Sequence, residues 1–191
     1  SELEAVNTIL STIGESPLNT LSGSLPVDGT IAKNVLSEVS REVQSQGWHF
    51  NTHYKVSLSR DTDNKIPLAT NIVRVEIDPR QYSKVSYDIV QRNNFLYNLA
   101  KNEDTFDTNF KDATAVYLLP FDEIPEQAKR YITIRSARIF HDRTLGANTI
   151  HKFSQEDEAK SLSILKQAES HTGDYSIFDT PEQAYTIIRG N

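Results

Sequence analysis

The chain has 191 residues, 37% of them hydrophobic, with no Cys and a formal net charge of −6; that is enough for one domain, or one domain with a sizeable insertion, to fold without cross-links. Disulfides and zinc–thiolate centres are excluded, and no run approaches the ~20 apolar residues of a membrane span. The acidic balance argues against a grip on nucleic acid, which needs clustered Lys and Arg. A soluble protein made inside the cell is expected, with no membrane partner and no secretory signal in the opening Ser1-Glu2 and its amphipathic sequel.

Leu3, Val6, Leu10 and Ile13, with Ala5 and Ile9 beside them, predict a first helix that Gly14 stops and Pro17 keeps from resuming. Residues 14–28 read as a connection. Asp28 is placed to cap a second helix, ending near Gln46, whose apolar stripe is Ile31, Ala32, Val35, Leu36, Val39 and Val43. Gly47 can then take the positive φ that ends a helix. From there Trp48, Phe50, Thr52, Tyr54, Val56 and Leu58 alternate with polar residues, predicting a half-buried strand whose odd positions face water. Trp48 is expected to be a buried bolt between the helical and sheet layers.

The middle of the chain reads as β. Val73, Val75 and Ile77 alternate, as do Val85, Tyr87 and Ile89, then Phe95, Tyr97 and Leu99, and then Ala113, Ala115, Tyr117 and Leu119. Asp78-Pro79 marks a turn, and Arg92-Asn93-Asn94 can supply the positive φ angles of a hairpin. From Asp122 helical spacing returns through Ala128, Tyr131, Ile132, Ile139 and Phe140, with Gly146 after the end. Lys129-Arg130, Arg135, Arg138 and Arg143 on that helix read as a solvated or subunit-facing stripe. Ser154 and Asp157 have capping-box spacing for a fourth helix through Ala159, Leu162 and Leu165, expected to stop near Gly173. The fold class is therefore α+β, a bundle of about four helices with a β-rich insertion between helices 2 and 3. The parts are residues 1–46 and 121–173 for the bundle, 47–120 for the insertion and 174–191 for a tail. Six apolar residues of that tail, Tyr175, Ile177, Phe178, Tyr185, Ile187 and Ile188, are the candidate partner-binding residues.

No catalytic motif stands out. His49, His53, His141, His151 and His171 never form the spacing that converges on zinc, and Asp61-Thr62-Asp63 opens like a calcium loop but has Lys65 where a ligand belongs. Neither a metal nor a cofactor is expected. Glu103, Asp104 and Asp107 are the remaining candidates for a carboxylate acid–base pair, the chemistry of a glycan hydrolase, although a solvated loop explains them as well.

Several of these residues resemble a known family. Ala5-Val6-Asn7, Ile9-Leu10 and Ile13-Gly14-Glu15-Ser16-Pro17 resemble the opening of the tail tubular protein A family of short-tailed bacteriophages. Val35-Leu36, Gln44, Gly47-Trp48 and Phe50-Asn51 are similar to its second helix and exit. The likeness resumes at Asp122-Glu123-Ile124-Pro125-Glu126, Arg130-Tyr131, Ala137-Arg138-Ile139-Phe140 and Arg143-Thr144-Leu145-Gly146. It covers both ends and little of residues 55–110. The resemblance implies a non-enzymatic virion adaptor: a ring of twelve subunits between the portal of the head and the tail nozzle. Duplex DNA would pass through it without specific binding. Two other classes compete with that expectation, a tail-associated glycan hydrolase and a cytoplasmic regulatory module.

Overall fold

A computed structural model describes residues 1–78, 87–146 and 152–178, the last six of these in backbone only. The observed class is α+β, and among the described residues all five strands fall, in chain order, between the second and third of four α-helices. The chain divides into two units, residues 1–43 with 120–191 and residues 44–119.

The first unit holds α1 (Glu2–Leu10), α2 (Val27–Gln44, whose last residue belongs to the second unit), α3 (Glu126–Leu145) and α4 (Gln155–Phe178). Helix α3 packs against both α1 and α4. Helix α1 buries Ala5, Val6, Ile9 and Leu10, the i, i+4 face that its apolar spacing dictates. Asn7 joins the following connection to it: its Nδ2 donates to the Leu18 carbonyl at 3.0 Å and its Oδ1 accepts from the Leu18 N–H at 2.8 Å.

In α2 the stripe Ala32, Val35, Leu36, Val39 and Val43 is buried, but Ile31 is 39% exposed. Asp28 is not the cap, because the helix begins one residue earlier. Pro26 precedes it and its carbonyl accepts from the Thr30 N–H at 2.9 Å; Asp28 instead lies in the first turn, where a carboxylate favours the helix dipole. At the other end of α2 Gly47 has φ +78°. A Cβ there would be strained at this φ, and it would also lie 2.5 Å from an Arg74 guanidinium nitrogen and 3.1 Å from Val116 Cγ2, so both would have to give way. The predicted box at α4 is present, with the Ser154 N–H donating to Asp157 Oδ2 at 2.8 Å and the Asp157 N–H to Ser154 Oγ at 3.1 Å. Gly173 does not stop α4, which runs on to Phe178. One glycine costs a helix about 1 kcal/mol relative to alanine, which a helix of 24 residues absorbs.

The second unit contains β1 (Thr52–Leu58), β2 (Ile72–Glu76), β3 (Ile89–Arg92), β4 (Phe95–Asn98) and β5 (Phe110–Tyr117). An antiparallel sheet has the order β1-β5-β2, and β3 and β4 form a hairpin. Asn93 and Asn94 close that hairpin at φ +47° and +61°, with Arg92 facing Phe95, as the two asparagines predicted. The Asp61 stretch is a turn: Asp61 Oδ1 accepts from the N–H groups of Asp63 and Lys65, both at 2.9 Å. Of the other turn and strand signals, Pro79 and Val85 lie outside the described residues. The buried residues Leu58, Ile66, Leu68, Ile72, Tyr87, Leu96, Phe106, Phe110, Ala113 and Ala115 form one cluster, with Phe106 and Phe110 edge to face at 5.6 Å between centroids.

The strand expected from Trp48 differs in two ways. His49–Asn51 is a single 3-10 turn, and Trp48 is only half-buried, so it is not the bolt that alternation suggested. Tyr54 is 65% exposed, because the alternation changes phase at Lys55. His53 faces Ala115, but Val56 faces Ala113 and Leu58 faces Phe110. β1 therefore carries one extra residue between His53 and Val56, and β5 one extra between Phe110 and Ala113. Lys55 and Asp112, at φ +58° and +55°, lie in these two stretches as β-bulge residues.

At the base of this unit the incoming and outgoing strands of chain are tied by two fully buried amides. Gln44 Nε2 donates to the Leu119 carbonyl at 3.0 Å, and Gln44 Oε1 accepts from the Leu119 N–H at 2.8 Å. Asn51 Nδ2 donates to the carbonyls of Gln44 at 2.9 Å and Tyr117 at 2.7 Å, while its Oδ1 accepts from the Trp48 N–H at 2.9 Å. Both residues have 0% exposure, and each amide is satisfied by backbone groups, as a buried polar side chain requires.

Candidate functional site

The three carboxylates that could have served acid–base chemistry lie in the loop before β5. Asp104 pairs with Lys65 Nζ at 2.6 Å and Glu103 with Lys101 Nζ at 3.6 Å. Asp107 accepts a short hydrogen bond from the Tyr87 hydroxyl. Glu103 and Asp107, with Arg60, Asn64, Lys101 and Phe106, line an open depression of about 320 Å³. The hydrogen bond from Lys65 holds the Asp104 carboxyl below its ordinary range, and that from Tyr87 does the same for Asp107. The other side of the latter bond pushes the Tyr87 hydroxyl up to about 12, helped by its burial. A glycosidase acid needs a carboxyl whose pKa is raised so that it keeps its proton. Asp104 and Asp107 are arranged the other way, as ionised partners of a lysine and a phenol. Among the described residues no three His, Asp or Glu side chains converge as metal ligands; His151 lies outside them.

Arg135 and Arg138 of α3 are not part of a solvated stripe, whereas Arg143 is half exposed. Arg135 bridges Glu42 of α2 at 2.8 Å and Glu158 of α4 at 2.7 Å, and Arg138 donates a short bond to the second oxygen of Glu158. Their side chains are 29% and 17% exposed, and that of Glu158 15%. Burial works against the Arg135 charge, yet the hydrogen bonds to Glu158 and Glu42 outweigh it and its pKa is raised. Arg143 forms a two-pronged pair with Glu38 at 2.8 and 2.9 Å in a far more exposed setting. Sequence spacing put these arginines on one helix face; it carried no sign of the glutamates from two other helices that meet them.

Of the candidate partner-binding residues, Tyr175, Ile177 and Phe178 are in the last turns of α4 as backbone, and Tyr185, Ile187 and Ile188 lie outside the described residues. Large apolar side chains that do face solvent are Val27, Ile31, Tyr54, Leu145 and Ile164. Among the described residues no helix is long and apolar enough to cross a membrane.

The second unit is closed at its base by the buried carboxamides of Gln44 and Asn51, Asp104 and Asp107 are held by Lys65 and Tyr87, and apolar side chains are exposed on several elements. The model of the tail tubular protein family matches residues 3–175, across both units, and the chain belongs to that family. It is 27% identical over 167 residues to tail tubular protein A of Klebsiella phage KP34, covering 87% of this chain and 86% of that protein. This chain is accordingly a structural component of a phage tail. Residues by which the sequence resembled the family now have physical roles: Asn7, Gln44 and Asn51 all bind backbone groups, and Gly47 admits Arg74 and Val116.

Proposed function

We propose that the chain is the adaptor of a short tail: a subunit of a ring, twelve copies round, that joins the portal of the head to the tubular nozzle and lets duplex DNA pass. The family match over residues 3–175 carries this reading, because it takes in nearly all of both units. The net charge of −6 supports it as well, since a channel built from acidic subunits repels the phosphates that move through it. Tyr175, Ile177, Phe178, Tyr185, Ile187 and Ile188 are the residues proposed to bind the portal or a neighbouring subunit. The chain is made in the host cytoplasm and ends in the virion tail. Sedimentation of the purified chain with and without portal protein, together with a density map of the virion tail, tests the proposal. Rings on the portal, with this chain between portal and nozzle, are expected. A chain that stays monomeric with portal and occupies another place in the tail overturns it.

A further inference from the structure

The second unit has both of its chain ends fastened inside itself. Every buried residue of its apolar cluster lies between residues 58 and 115, with Val56 and Tyr117 packed against it at either end, and the segments that flank the cluster meet at Gln44, Asn51, Tyr117 and Leu119. The Gln44 carboxamide uses its donor and its acceptor on the same residue, Leu119, as a paired strand residue would. Asn51 then ties Gln44, Trp48 and Tyr117 into the same knot. Both residues are completely buried, so their amides sit where a satisfied hydrogen bond is strong and an unsatisfied one costly, and they close the 44–119 loop.

We infer that residues 44–119 open and close as one cooperative unit, sealed at the base by Gln44 and Asn51, and that this opening leaves α1 and α3 folded. The inference does not rest on the adaptor reading. It gives the protein a β module that can unfold and re-form locally while the helices persist, the behaviour of a subglobal folding unit.

Hydrogen exchange on the full chain tests it. The probes in the second unit are the Leu68 and Leu96 N–H groups, bonded to Asn94 and Ile66 carbonyls at 2.7 and 3.0 Å; those in the first are the α3 amides of residues 131–140. In low denaturant the two sets should follow separate isotherms. Gln44→Ala, which leaves both backbone groups of Leu119 without the amide, should reduce protection of the Leu68 and Leu96 amides by about tenfold or more and leave the α3 set unchanged. Gln44→Glu supplies a second readout. A buried carboxyl has a raised pKa, and in its protonated form it can again donate to the Leu119 carbonyl. That variant should match the parent protein near pH 4 and lose protection of the second unit as pH rises to 7. A common isotherm, equal loss in both sets, or a Gln44→Glu effect independent of pH overturns the inference; a variant that unfolds altogether gives equal loss and counts against it.

Discussion

Removing Glu158 tests whether the charges between α3 and α4 are a fastening or decoration. Glu158→Ala removes the partner of Arg138 and one of the two partners of Arg135, which keeps Glu42. Truncating one side of a fully buried pair costs about 3–5 kcal/mol, chiefly because the surviving charge is left without compensation. Arg138 is 17% exposed, so some water reaches it and the expected loss is nearer 2–3 kcal/mol. In a chain of this size that lowers Tm by roughly 4–12 °C. The assay is urea unfolding of Glu158→Ala, Arg138→Ala and the double variant, with Arg143→Ala as the exposed comparison. Arg143→Ala should cost under about 1 kcal/mol and lose even that effect at high salt. The double variant should be closer to Arg138→Ala alone than additivity allows, since deleting Arg138 removes the orphaned charge. A loss below about 1 kcal/mol for Glu158→Ala, with no coupling to Arg138, refutes the reasoning: the arginines would then be the solvated stripe that their sequence spacing suggested.

Phe110→Ala should cost about 3–5 kcal/mol, as a large deletion at a site 2% exposed, and Trp48→Ala clearly less because its ring is half-buried; equal losses in denaturant melts would contradict this ordering. Asn94→Gly should stabilise the β3–β4 hairpin by roughly 0.5–1 kcal/mol, since φ +61° suits glycine and the Asn-Gly turn, and a lowered midpoint would show that the Asn94 side chain matters more than its backbone. Tyr87 is held neutral up to about 12, so its contribution is complete below pH 10 and disappears as pH rises from 10 through 12; Tyr87→Phe should flatten that alkaline loss of stability, and tyrosinate absorbance gives the titration. The lowered carboxyls of Asp104 and Asp107 act in the opposite window. Their contribution is present above the ordinary carboxylate pKa and is lost as pH falls through the depressed values, so Asp104→Asn with Asp107→Asn should weaken the acid dependence of unfolding below about pH 4.

What could be read from the sequence was whatever is local. The stripe of α2, the stop at Gly47, the Asn93-Asn94 hairpin and the Ser154 box each depend on residues a few positions apart, and each is present. The misreadings share a different cause. Asn51 was placed on a wet strand face because it is polar and sits in an alternating run, but its partners are carbonyls of Gln44 and Tyr117, the second of them 66 residues away in the chain. A polar residue at 0% exposure is intelligible only when the distant backbone it satisfies is known. Gln44 offered a faint signal, an amide next to Val43 on the buried side of α2, and the family resemblance singled it out without explaining it. Arg135 and Arg138 were misread for the same reason, since Glu42 and Glu158 come from other helices. Gly173 misled in the other direction: a helix breaker by propensity is only a modest penalty inside a long helix.

The bulges at Lys55 and Asp112 bear on how these two strands can change length. Pairing positions sum to the same value on either side of the bulged stretch, with Thr52 opposite Val116 and Leu58 opposite Phe110. Deleting Lys55 alone would remove the extra residue of β1 and leave Val56 opposite Ala113 and Leu58 opposite Phe110, and deleting Asp112 alone would do the same for the extra residue of β5. Deleting both together would remove both bulges and keep the same partners. In the genetics of this gene, single-codon losses at either position should therefore be milder than losses at Val56 or Ala113, which remove a paired residue rather than the extra one.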